Sequence, residues 1–197
     1  MSNTASLIHY SATFGISFML SIYLQVIRSF DALNAGMLLL LQPIMMSLLS
    51  PSAGKLSDKI EPRFVASAGM TITACGLYML SSIGAYTSSY YIGGILLIIG
   101  VGFALFSSPN NNAIMGSVKQ EFYGIASSTL SIMRMFGQAV SMAIVSMILS
   151  IYTIDVMPSE YLSSLLNGIR ETFIILAITC VIGIACSMAR GSRRKSD

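Results

Sequence analysis

The sequence predicts an all-α membrane protein, a six-transmembrane-helix bundle, and three observations carry that expectation. Apolar residues make up 54% of the chain and charged residues only 10%, with a mean hydropathy of +0.76. Such a composition leaves too little polar surface to cover a water-soluble globule. Six runs of mainly apolar residues approach or exceed the about 20 needed to cross the hydrocarbon as a helix. The cations gather in alternate connections, the pattern expected when Lys and Arg are retained on one side of a membrane.

The six spans are placed at Leu7 to Ile27, Ala35 to Ser50, Phe64 to Ile83, Tyr90 to Phe106, Ile125 to Tyr152 and Ile169 to Met188. Residues 1–189 then form one six-helix domain, and residues 190–197 a basic cytoplasmic tail. The second run is short, but its helix can continue through Pro51 toward Gly54 if neighbouring helices satisfy the carbonyl that a proline frees. The first run is not read as a secretory signal, because no Lys or Arg precedes it, it is too long, and no small-residue cleavage site follows.

With alternating helices, Lys55, Lys59, Arg63, Lys119, Arg190, Arg193, Arg194 and Lys195 fall on one side, and only Arg28 and Arg170 on the other. Both termini are therefore expected in the cytoplasm, with the chain a multi-pass protein of the cell membrane. The net charge of +3 is concentrated in these connections and the tail, where anionic lipid would attract it. Nucleic-acid binding is not indicated. Cys75, Cys180 and Cys186 all sit in apolar runs without metal-ligand spacing, so no metal or other cofactor is expected.

Two connections on the basic side carry most of the polar information. Gly54 to Arg63 reads as a tight charged turn, with Asp58 able to accept from exposed N–H groups and Pro62 able to open the third helix. Ser107 to Val118 reads as a segment that leaves the fourth helix at Pro109 and carries three asparagines, Asn110, Asn111 and Asn112. Composition alone would make both ordinary polar linkers.

The order of residues is more specific. Gly54, Leu56, Ser57, Asp58, Lys59 and Arg63 resemble the cytoplasmic loop motif of the major facilitator superfamily, with Glu61 standing where that motif usually has glycine. Ser107 to Val118, Tyr23-Leu24-Gln25 with Ala35-Gly36, and Arg134 with Gly137 are similar to segments of the EmrB/QacA-type, fourteen-span drug:proton antiporters, in the same order. The resemblance implies that the six helices are the C-terminal half of a major facilitator fold. It implies further that an N-terminal six-helix domain and two central spans lie outside this sequence, and that the coupling carboxylates lie there too. Asp58 would then contact a helix start in that other half.

Charges and polar residues inside the spans supply the candidate site. Ser127, Ser131, Arg134, Gln138 and Ser141 recur at spacings of 4, 3, 4 and 3 on the fifth span, which puts them on one helical face. Counted from Tyr123, Arg134 lies about 16 Å into a core of about 30 Å. A cation at such a depth costs about 3 kcal/mol on insertion scales and more in simulations, so this face should meet a wet cavity or a polar helix interface. Arg134 is either a substrate-path residue or a structural one that snorkels or ties down neighbouring groups. No Asp or Glu lies within the six cores, so Arg134 has no evident internal partner and a proton relay finds no intramembrane acid here. His9 reads as an interfacial residue near the start of the first span. Ser17, Ser21 and Gln25, with Tyr23 beside them, form a weaker stripe that would face the first across a partly polar concavity.

Small residues on the third, fourth and fifth spans suit close helix packing, and the 14 methionines suit packing, lipid contact or an adaptable cavity. The leading expectation is a secondary transporter half, for efflux of hydrophobic or cationic small molecules by proton antiport, incomplete without a second half. The alternative is a non-transporting membrane protein that associates with itself or with another transporter's half. An enzyme is not expected, because no nucleophile elbow, paired histidines or intramembrane carboxylate pair is present.

Overall fold

The structure is a computed structural model that describes residues 2–154 and 156–188; the tail expected at 190–197 lies outside the described residues. Its elements are α1 (Ser2–Thr13), α2 (Gly15–Ile22), a π-helical turn (Tyr23–Ile27), α3 (Ala32–Leu39), α4 (Leu41–Lys59), α5 (Pro62–Leu80), α6 (Ser89–Met115), a 3-10 turn (Gln120–Phe122), α7 (Tyr123–Thr153) and α8 (Tyr161–Met188). They make six helices long and apolar enough to cross a membrane: Thr4–Ile27, Ala32–Lys59, Pro62–Leu80, Ser89–Met115, Gln120–Thr153 and Tyr161–Met188. No strand occurs among the described residues.

The first two spans are jointed, for local reasons. In the first, the hydroxyls of Ser11 and Thr13 turn back onto the carbonyls of Leu7 and His9, at 2.8 and 2.7 Å, a contact that bends helices. The Gly15 amide then donates across the bundle to Ser141 Oγ at 2.8 Å. In the second, the break at Leu40 comes one turn before Pro43, which lacks an N–H and crowds the carbonyl four residues earlier.

Two connections differ from the sequence expectation. The tight turn expected from Gly54 to Arg63 is helical as far as Lys59, and only Ile60 and Glu61 separate α4 from α5. Likewise α6 does not end at Pro109 but runs to Met115. Prolines and polar residues read as loop in water, whereas a packed membrane helix accommodates Pro51 and Pro109. Elsewhere α5 ends at Leu80 rather than Ile83, and α8 begins at Tyr161, about two turns before Ile169.

Cohesion comes from close backbone approach. A Cβ on Gly69 would lie 2.6 Å from the Gly102 carbonyl oxygen, and one on Gly102 would lie 2.7 Å from that of Gly69, so α5 and α6 touch main chain to main chain. On the far side of α6, a Cβ on Gly100 would lie 2.6 Å from the Gln42 carbonyl of α4. The packed interior gathers Met19, Leu77, Ile99, Phe106, Phe173 and Leu176 from the first, third, fourth and sixth spans.

Arg28 and Arg170, the two cations at the end opposite Lys55 and Lys59, have a shared task there. Arg28 donates to the Thr87 carbonyl at 2.5 Å and Arg170 Nε to the Ile83 carbonyl at 2.6 Å, while the Tyr23 hydroxyl donates to the Gly84 carbonyl at 2.6 Å. Three side chains thus hold the connection between α5 and α6 through its carbonyls, of which that of Gly84 also accepts from the Thr87 amide at 3.3 Å.

Burial is uneven. Of the most apolar window of each span, 56% is buried in the third and fourth, but only 11% in the second and 22% in the fifth. Replacing Gly69 with Val should lower stability by about 3 kcal/mol through overpacking against backbone, whereas Gly94→Ala, with nothing within 4 Å, should be neutral. Unfolding in detergent followed by circular dichroism measures both.

Candidate functional site

The fifth span carries the polar seam on the flank of its packed face. At 3.6 residues per turn, Ser127, Ser131, Arg134 and Gln138 fall within about 60° of one another. Ser127 and Ser131 are exposed, Arg134 and Gln138 half-buried, and Ser141 fully buried. The seam therefore runs from open surface into the contact with the first span.

That contact fixes the register of the two helices. A Cβ on Gly137 would meet the Leu7 carbonyl at 2.6 Å, and Ser141 takes the Gly15 amide. The close approach brings Tyr10 beneath Arg134, whose guanidinium carbon lies 4.9 Å from the ring centroid. A cation over a ring face is attracted by its quadrupole, and more strongly when both are withdrawn from water. Arg134 Nε is shut off from solvent and has no hydrogen-bond partner, and the ion pair between Arg63 and Glu61 is the one found among the described residues.

The same register corrects the expectation of facing stripes. At 1.5 Å per residue, Arg134 lies about 10 Å before the Gly15–Ser141 contact and Gln25 about 15 Å beyond it. The two polar stripes follow one another along the membrane axis instead of lying opposite. Gln25 is exposed and donates to Ser21 Oγ at 2.7 Å. Tyr23 is set apart from both, fully buried against the α5–α6 connection by its bond to Gly84. Periodicity placed these residues on faces correctly, but it carries no information about relative depth.

At the basic end, Gly54 lets α4 approach α6: a Cβ there would lie 3.1 Å from Ser108 Oγ. Ser57 donates to the Gly54 carbonyl at 2.7 Å and accepts from Asn112 Nδ2 at 3.3 Å. Asp58 and Lys59 are exposed, and Asp58 makes no hydrogen bond or ion pair with the described residues. Arg63 pairs with Glu61 at 2.6 Å and lies over the Phe64 ring. The motif residues thus divide into a packed half and a solvent-facing half.

Sequence reasoning missed the surroundings of two adjacent residues of α1, Tyr10 beside the seam and His9 against α6. Tyr10 carried no periodic signal, and His9 is not interfacial but fully buried, stacked on Phe106 at 3.9 Å with Phe103 at 5.0 Å. Neither ring nitrogen of His9 has a hydrogen-bond partner. Clefts elsewhere among the described residues include one of about 560 Å³ around Phe30, Asp31 and Asn34, and an apolar one of about 570 Å³ between α5 and α8.

Tyr10→Leu should lower stability by about 1 kcal/mol through loss of the ring face under Arg134, and Tyr10→Phe should not. In an Arg134→Gln background the Tyr10→Leu effect should shrink, a coupling that a double-mutant cycle of detergent unfolding reads directly.

Comparison with known proteins places this architecture. Residues 3–196 match the sequence profile of the Major Facilitator Superfamily. The chain is 27% identical over 176 residues to the riboflavin transporter RibZ of Clostridioides difficile, a match covering 89% of this chain and 39% of that protein. It is 29% identical over 177 residues to the uncharacterized transporter YebQ of Escherichia coli, covering 90% of this chain and 36% of the relative. Against the lincomycin resistance protein LmrB of Listeria innocua it is 24% identical, over 86% of this chain and 38% of the relative. The chain thus spans less than two-fifths of the length of these relatives. With a profile that matches almost end to end and six apolar helices packed as one bundle, the chain belongs to the Major Facilitator Superfamily.

Proposed function

We propose that this chain acts as the C-terminal half of an EmrB/QacA-type transporter, six helices that form one wall of a midplane substrate path. In this reading it rocks against a second six-helix domain in alternating access. The observation that carries the reading is uneven burial: the second and fifth spans are 11% and 22% buried while the third and fourth are 56% buried. Two sparsely covered spans on a bundle whose other helices clamp one another are what a half-domain would present to its counterpart. The polar seam of Ser127, Ser131, Arg134 and Gln138 lies on one of them, and polar side chains at that depth belong against protein or a wet cavity.

The cargo is proposed to be hydrophobic or cationic small molecules, moved outward by proton antiport across the cell membrane, with both termini cytoplasmic. Two of the relatives, a riboflavin transporter and a lincomycin resistance protein, support small-molecule cargo. The coupling acid belongs to the second domain, because the one acid well inside a described span, Glu171, is engaged with Tyr152 near the end of α7. Gly54, Asp58, Lys59 and Arg63 would meet that domain at the basic end.

Membrane vesicles containing this chain alone should show no proton-linked drug flux, and coexpression with a matching N-terminal half should produce it. Arg134→Gln in the coexpressed pair should lower the flux at least about tenfold, as loss of a buried charged contact does. Uphill dye transport by a strictly monomeric chain would overturn the proposal. Stable pairing without flux would instead identify a non-transporting interaction protein.

A further inference from the structure

Among the described residues Arg134 is the cation well inside a span that has neither a hydrogen-bond acceptor nor an ionic partner. Arg28 and Arg170 donate to carbonyls of the α5–α6 connection, and Arg63 is paired with Glu61. Arg134 has a ring beneath it and a sequestered Nε with no acceptor. Among the described residues Asp31, Asp58, Glu61, Glu121 and Glu160 lie in connections or at helix ends, and Glu171, inside α8, is engaged with Tyr152 near the far end of α7. His9 does not serve either, since neither of its nitrogens has a partner and its ring is taken up by Phe103 and Phe106.

From the geometry we infer that Arg134 and Tyr10 form one side of a carboxylate-binding site inside the membrane, completed by an ionised carboxyl group on a helix that covers the exposed flank of α7. The inference rests on the reading of that flank as a surface a second domain covers. Tyr10 lies against the face of the guanidinium and Nε is sequestered, which leaves the two terminal nitrogens of the planar edge for the two oxygens of a carboxylate. Position along the helix argues against a lipid phosphate: Arg134 is 14 residues, or about 21 Å, beyond Gln120 and farther still from Thr153, so an arginine side chain reaches neither end of the span. Exposed Ser127 and Ser131 on the same flank give the approaching helix hydroxyls to meet in place of bulky apolar side chains.

The test uses the full chain in neutral lipid vesicles with a donor fluorophore on its C-terminus. The probe is a synthetic leucine-rich single-span helix with one central aspartate and an acceptor fluorophore; its asparagine counterpart is the control, both at alkaline pH. The aspartate helix should associate at least about fivefold more tightly than the asparagine helix, a difference expected of one charge-assisted contact in lipid. The preference should vanish in R134Q and persist, weakened, in R134K, which keeps the charge but not the planar edge. Sodium benzoate in place of the helix tests a small-molecule source of the same group: Arg134-dependent saturation of the Nε resonance would establish carboxylate recognition by that route. If neither the aspartate helix nor benzoate distinguishes the natural chain from R134Q, the inference falls. A coexpressed pair that still pumps drug after that result would leave the transport reading standing.

Discussion

Lipid tails are as apolar as the helices they surround, so cohesion in this chain depends on how closely its backbones approach, and the crossing of Gly69 and Gly102 is the contact on which the rest is built. Around it, α8 joins α5 through the hydroxyls of Ser67 and Ser187 at 3.0 Å and the thiol of Cys180 on the Met70 carbonyl at 3.3 Å. The same economy recurs where Gly137 admits the backbone of Leu7 and Gly15 admits Ser141. Small residues do for this bundle what bulky apolar ones do for a soluble core. Bulk then collects in the triangle between the helices, where Phe106 and Phe173 are fully buried.

The clamp also explains why functional features collect where they do. Helices locked by backbone contact have little face left to open, and the exposed polar residues of α5 and α6 are isolated ones such as Thr71 and Asn112. The second and fifth spans, attached mainly along one side, retain surface for other uses, and the cation of the fifth span stands on the border between locked and open surface. A guanidinium in that position is oriented by its neighbour without being consumed by it.

Much of this was legible from residues alone, in proportion to how local the cause was. The number and order of spans follow from runs of apolar side chains. The one-sided placement of Ser127, Ser131, Arg134 and Gln138 follows from helical period. The helix ends were poorly legible, because Pro51, Pro109, Asp58 and Asn112 are loop signals in water and tolerable helix residues beside another helix. What joins residues far apart in the chain was not legible at all. Nothing near Tyr23 announces that its hydroxyl meets Gly84, 61 positions away, nor that Asn110 donates to Ser6 at 2.7 Å. The depth offset between the two stripes belongs to the same class, since it is set by which glycine faces which turn.

The length of α7 has a consequence of its own. Its 31 residues make a rod about 46 Å long, against about 30 Å of hydrocarbon. Such a rod must lean or protrude, and a thinner bilayer makes it lean further. Because Arg134 rides on that rod, the level at which its charge sits becomes a property of the surrounding lipid as well as of the protein, so that membranes of different thickness would tune the same residue differently.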